Sequence, residues 1–194
     1  MRTLRTSTLA LSLLLSGAVL AGVAQSPSGA APQLPAPSAP AASVPATPMQ
    51  PFTSTDGRFS AFFPGIPTQT SQPIQLKNGE TSTLYGFSVS ADNGNTSYIV
   101  MYNDYAPDVV ADGAQALLQR TEKGAVAGKT LLADFAISLN GVPGRAYTAT
   151  DSSGLNYTVH EFLSGTRLYQ LIVTTAKGTT ASQLNLFMNS FIIF

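Results

Sequence analysis

From residue 58 onward, apolar and polar positions alternate mostly with the period of two that marks half-buried strands. Arg58 to Phe63 (RFSAFF) predicts a strand, stopped by Pro64-Gly65 and Pro67. Thr68 to Leu76 predicts a second, which Pro73 places at a sheet edge because proline cannot donate to an inner ladder. Asn78-Gly79 is a hairpin turn into Thr81 to Ser90, and Asp92 to Asn95 is a tight turn into Ser97 to Asn103. Lys129 to Leu139, Arg145 to Asp151, Leu155 to Ser164 and Arg167 to Thr175 predict four further strands. Asn140-Gly141, Ser152-Ser153-Gly154 and Ser164-Gly165 supply their turns.

Two segments switch to helical spacing. Pro107-Asp108 opens the first, where Val110, Ala114, Leu117, Leu118 and Thr121 recur at three and four and Gly124 can end the helix. In the second, Thr180-Ala181-Ser182-Gln183 has the pattern of a capping box, followed by a stripe of Leu184, Phe187, Met188 and Phe191. That stripe reads as core, and the closing Phe191 to Phe194 is too apolar for a free tail and should pack into the domain. Strands joined by hairpins imply an antiparallel sheet, and two helices then cover it. The expected fold class is α+β, an antiparallel β-sheet flanked by helices in an α/β/α sandwich.

The first fifty residues or so are different. From Thr6 to Thr55 there is no charged residue. Arg2 and Arg5, an apolar run from Leu9 to Val23 and the small residues Ala21, Gly22 and Ala24 have the layout of a secretory signal peptide over 1–24. The apolar run contains Ser12, Ser16 and Gly17, and it is short for a membrane span, so cleavage is favoured over retention as an anchor. Residues 25–51 form a Pro/Ala-rich linker with eight of the thirteen prolines, a composition that cannot bury enough apolar surface to offset its ordering entropy. The globular domain is expected over 52–194.

The chain has no cysteine, which excludes lipoprotein acylation, disulfides, a thiolate nucleophile and Cys-ligated metal. Disulfide-free export fits the periplasm, exterior or envelope of a bacterium. Removing Arg2 and Arg5 leaves eight Lys and Arg against ten Asp and Glu, with no basic stripe to neutralise nucleic-acid phosphates.

Chemistry is sparse. His160 is the only histidine, and strand alternation sends its neighbour Glu161 to the opposite face. A three-residue loop over Ser164 to Thr166 would set Glu161 opposite Tyr169 and diagonal to Arg167, giving a cross-strand contact of structural kind. That register places Asn156, Thr158, His160 and Gln170 in one row that could line a ligand groove or be covered by a helix. Asp151-Ser152-Ser153-Gly154 lacks a nucleophile elbow and reads as a hairpin turn. Asp104 and Asp108 flank Pro107, where they can cap a helix or, with Asp112, hold a cation weakly. No phosphate loop, dinucleotide fingerprint or metal-spaced His cluster occurs, so no cofactor is expected.

Gly57 to Pro67 (GRFSAFFPGIP) resembles the opening of exported bacterial PsbP-like domains. The likeness continues in Gly141 to Arg145 (GVPGR), Gly165 to Leu171 (GTRLYQL) and Phe187 to Phe191 (FMNSF), and it spans roughly residues 52–194. The resemblance implies an antiparallel sheet with helices on both faces and a corner at Pro64 to Pro67. It also implies a binding or assembly accessory. PsbP helps retain calcium and chloride in photosystem II, and a eukaryotic relative binds a small GTPase. No motif of either role is visible here.

The expectation is therefore an exported, non-enzymatic accessory at the cell envelope that binds a protein partner or assists assembly, without nucleic acid and without a stable span after cleavage. The alternative is a carrier of a small ligand, on Asn156, Thr158, His160 and Gln170, or of a weakly held metal, at Asp104 and Asp108.

Overall fold

The computed structural model describes residues 47–75, 79 and 81–194. The expected signal segment, the linker through residue 46 and Asn78 of the first hairpin turn lie outside them. The chain runs β1 (Gln50–Ser54), β2 (Phe59–Phe63), β3 (Thr68–Gln75), β4 (Thr81–Ala91), β5 (Thr96–Asp104), α1 (Ala114–Ala125), β6 (Thr130–Leu139), β7 (Val142–Thr150), β8 (Asn156–Ser164), β9 (Arg167–Thr175), α2 (Leu184–Asn189) and β10 (Ile192–Ile193). Seven strands form one antiparallel sheet in the order β3-β4-β5-β9-β8-β7-β6, and β1, β2 and β10 form a small second sheet. Pro73 lies in β3, at the edge, as its missing N–H requires.

The core lies between the two sheets. Phe59, Ala61 and Phe63 point inward from β2 and meet Phe87, Tyr98, Val100, Tyr102, Phe162, Tyr169 and Leu171 of the large sheet. The Phe59 ring is fully buried, with the centroids of Phe52, Phe87, Tyr102, Tyr169 and Phe191 at 5.3–6.4 Å. α2 completes this layer by seating Phe187 against Phe63 and Tyr98. On the opposite face, Leu117 and Leu118 of α1 pack on Leu163 and Leu168. One face thus carries α1, and the other carries a three-stranded sheet with the six-residue α2. The expected pair of helical layers is not what covers the sheet.

Several local expectations are corrected. β1 takes in Gln50 and Pro51 from the expected linker, because Phe52 packs on Phe59, Phe63 and Phe87 and draws the strand into pairing. The first helix starts at Ala114, not at Pro107. Residues 107–112 form successive turns, and Gly113 takes a φ of 93°, which no helix interior accommodates. The capping box does not form either. Gln183 is itself the N-cap, and its side chain donates to the Thr47 carbonyl at 2.6 Å.

The largest correction concerns register. The β8–β9 loop has two residues, Gly165 and Thr166, so Ser164 pairs with Arg167 and Glu161 pairs with Gln170. A one-residue slip exchanges faces. Tyr169, Leu171 and Val173 therefore share the core face with Phe162, His160 and Thr158, while Glu161 and Gln170 lie together under α1. Glu161 does not contact Arg167, whose carboxylate partner is Asp104.

Candidate functional site

The expected ligand row is divided. Asn156, Thr158 and His160 alternate along one face of β8, and Gln170 sits on the other face, bonded to Glu161 at 2.7 Å. The Asn156 side-chain oxygen accepts the Thr150 hydroxyl at 2.8 Å. His160 lies between Ala146 and Leu171 on the neighbouring strands, edge-on to Phe162 with centroids 6.3 Å apart. Burial holds its pKa below the usual imidazole value, so the ring is neutral near pH 7. No carboxylate partners it among the described hydrogen bonds. Among the described residues, this half-buried imidazole has neither a hydrogen-bonded proton relay nor a set of further metal ligands around it.

The two aspartates are also separated in role. Asp104 is gripped by Arg167 through Nε and Nη2, each at 2.7 Å, while Nη1 donates to the Asp56 carbonyl at 2.8 Å. The guanidinium lies 4.7 Å from the centroid of the Tyr102 ring. These bonds keep the Asp104 carboxyl below its ordinary pKa. Asp108 lies in the exposed turn before α1. Among the described residues, no group of three or more His, Asp or Glu is placed to hold a metal ion.

Asp151 organises its own hairpin. Its Oδ1 accepts the Ser153 N–H, the Ser153 hydroxyl and the Leu155 N–H at 2.6–3.1 Å, and Oδ2 accepts the Tyr157 hydroxyl at 3.0 Å. These bonds, the Ser153 hydroxyl foremost, hold its pKa down. Ser153 thus donates to a carboxylate that is already committed to the turn. It faces no base.

A polar cleft of about 500 Å³ opens where the β6–β7 and β8–β9 turns meet the end of β2 and β10. Arg58, Asp104, Asn140, Thr166, Arg167 and Tyr169 contribute to its wall. Most of their polar atoms are already engaged: Arg167 by Asp104 and Asp56, Tyr169 by the Gly57 carbonyl at 2.8 Å, and Arg58 Nε by the Phe194 carbonyl at 3.1 Å.

The feature that sequence reasoning missed is an edge. β6 pairs only with β7, and its outer side makes no backbone hydrogen bond among the described residues. It exposes Leu131 (41%), Leu132 (63%) and Phe135 (57%). Its one charge, Asp134, is bonded to Arg145. The opposite edge, β3, reads TQTSQPIQ and is polar along almost its whole length. The signal was present in TLLADFAISL, where apolar residues fall on both parities. Such a strand is either buried on both faces or exposed on both.

An antiparallel α+β sandwich with a buried aromatic core and one exposed apolar edge is the class of protein these features define. The fold is PsbP-like. The solution structure of cyanobacterial PsbP (CyanoP) from Synechocystis sp. PCC 6803 superposes with a TM-score of 0.51 at 12% identity, covering 81% of this chain and 98% of that one. A Pseudomonas aeruginosa protein of unknown function aligns over 66% of this chain and 83% of its own, at 12% identity and a TM-score of 0.29. No protein-family model matches the chain. No curated protein matches it in sequence. Among the described residues, no helix is long and apolar enough to cross a membrane.

Proposed function

We propose that this domain is an exported, non-catalytic accessory of a bacterial envelope that holds a protein partner by strand addition at β6. The observation that carries the reading is the contrast between the two edges of the large sheet. An exposed strand edge is a template for another chain, and folded proteins blunt such edges with charge, proline or bulges. β3 carries Pro73 and polar side chains, but β6 carries neither proline nor lysine. The register shift between Leu131 and Ala133 disturbs only its first residues and leaves 133–139 as a regular seven-residue edge. The fitting occupant is an extended, largely uncharged segment with apolar residues at alternate positions, so that its backbone completes the ladder while its side chains meet Phe135 and Ile137.

Export rests on the signal-like segment over 1–24, and the absence of cysteine fits disulfide-free export to a bacterial envelope. The accessory role rests on the engaged polar groups of the cleft and on the isolation of His160. A photo-crosslinking residue at Phe135, used in intact cells, should capture a discrete partner, and Phe135→Lys with Ala133→Lys should abolish its co-purification while leaving the fold intact. A crosslinker at Gln72 in β3 that captures the same species equally well would overturn the reading. Export is tested by finding a mature chain that begins near residue 25.

A further inference from the structure

Helix α1 is fastened to the large sheet by a carboxyl group on the face opposite the core. Glu161 of β8 is fully buried. Its Oε1 accepts the Tyr147 hydroxyl at 2.9 Å and the Gln170 amide at 2.7 Å. Its Oε2 lies 2.6 Å from the Thr121 hydroxyl oxygen, which in turn lies 2.9 Å from the Leu118 carbonyl. A threonine hydroxyl has a single proton. If Glu161 were ionised, that proton could serve the carboxylate or the carbonyl, and the other close oxygen pair would have no proton between its members. If Oε2 carries a proton, it donates to Thr121, Thr121 donates to Leu118, and both contacts are hydrogen bonds. The hydrogen inventory closes only for the acid.

The charges around the site agree. From α1, Glu122 faces the same space, and it is bonded to Arg145 of β7. Arg145 also reaches Asp134 of β6, so one cation already serves two carboxylates. From β7 the other titratable neighbour is Tyr147, from the segment after β5 it is Tyr105, and β9 contributes the uncharged Gln170. Thr121 lies in the C-terminal half of α1, where the aligned backbone carbonyls disfavour a negative charge.

We propose that Glu161 is a neutral carboxylic acid near pH 7 and works as a proton-controlled latch, its ionisation releasing α1 from the sheet and uncovering Leu163 and Leu168. Burial pushes its pKa up, against the lowering effect of the Gln170 and Tyr147 donors. The sign follows. With the folded pKa raised, the stabilisation is complete below the unfolded carboxylate value of about 4.3 and declines as pH rises from there through the folded pKa.

The test is amide hydrogen exchange of α1 as a function of pH. After division by the intrinsic exchange rates, the opening equilibrium of α1 should rise by about tenfold per pH unit between the unfolded value of about 4.3 and the folded pKa, the slope for one linked proton. In Glu161→Gln, whose amide can reproduce the acid's bonds with Thr121, Tyr147 and Gln170, the slope should vanish, and stability at pH 7 should equal or exceed that of the parent. Infrared spectra near neutral pH should show an un-ionised carboxyl band that Glu161→Gln lacks. A parent slope of zero, absence of that band, or a Glu161→Gln variant destabilised at pH 7 would each overturn the proposal. If Glu161→Gln fails to fold, the band in the isotope-labelled parent decides the matter.

Discussion

Asp104 and Arg167 are directly opposed on β5 and β9, and the guanidinium holds both carboxylate oxygens at 2.7 Å. The pair closes one end of the sandwich, because the same guanidinium also binds the Asp56 carbonyl of the β1–β2 turn. The carboxylate is half-exposed, so its Coulomb share is small, about 0.2–1 kcal/mol. The carbonyl bond and the Tyr102 ring contact add to it. Arg167→Ala should therefore cost about 1–2 kcal/mol in urea unfolding at pH 7. Because the folded pKa of Asp104 is depressed, its contribution is present above about pH 3.9 and lost as pH falls through the folded value. Acidification from pH 5 to pH 2 should thus cost Asp104→Asn less stability than the parent, and an equal or larger loss would refute this assignment.

Phe59 is the aromatic residue on which both sheets converge. Phe59→Ala should destabilise by about 3–5 kcal/mol, the range for removing a buried ring without collapse of the site. Phe59→Leu should cost less. A loss under about 1 kcal/mol for the alanine variant in chemical denaturation would show that the two sheets are packed loosely.

His160 supplies an acid-side titration. Its folded pKa lies below the unfolded value of about 6.5, so the unfolded chain binds the proton first. The His160 contribution to stability should fall as pH drops from about 7 through 6 and level off below the folded pKa, opposing the gain from Glu161 over the same range. His160→Leu should flatten this limb. An unchanged pH profile would assign the limb to carboxylates.

Gly144 tests the approach of β7 to β8. A methyl group there would stand 2.5 Å from the Glu161 carbonyl oxygen and 2.5 Å from the Phe162 ring. The ring can turn, but the backbone carbonyl belongs to the ladder. Gly144→Ala should cost about 1–3 kcal/mol, the range for overpacking, and an equilibrium unfolding curve overlaying that of the parent would contradict the geometry.

Much of the strand pattern was legible in the sequence, and the reasons are local. β9 runs from Arg167 to Thr175 as expected because a turn bounds it on one side and polar residues on the other. The β8–β9 register was not legible. Phe162 and Leu163 are both buried, as are Leu168, Tyr169 and Leu171, so apolarity does not distinguish the two faces, and a loop of two or three residues reads equally well. β10 is only two residues long and exists through pairing with β2, a partner 132 positions upstream at Ile192↔Ser60. The Glu161 cluster was hidden for the same reason as the register. The ligand candidates Asn156, Thr158 and His160 kept their common face, whereas Gln170 left it with the slip.

The small sheet joins the earliest and latest strands of the described chain. β1 and β2 lie within residues 50–63 and their third strand is Ile192–Ile193, so the aromatic core cannot be sealed until nearly the whole domain has been made. The Tyr98–Val173 pairing of β5 with β9 imposes a similar delay on the centre of the large sheet. Contacts this distant in sequence slow folding, because loop closure must precede the packing that compensates for it. A chain that crosses a membrane from its N-terminus would remain unsealed for most of its transit. Slow closure of this kind keeps a polypeptide threadable until its last strand arrives.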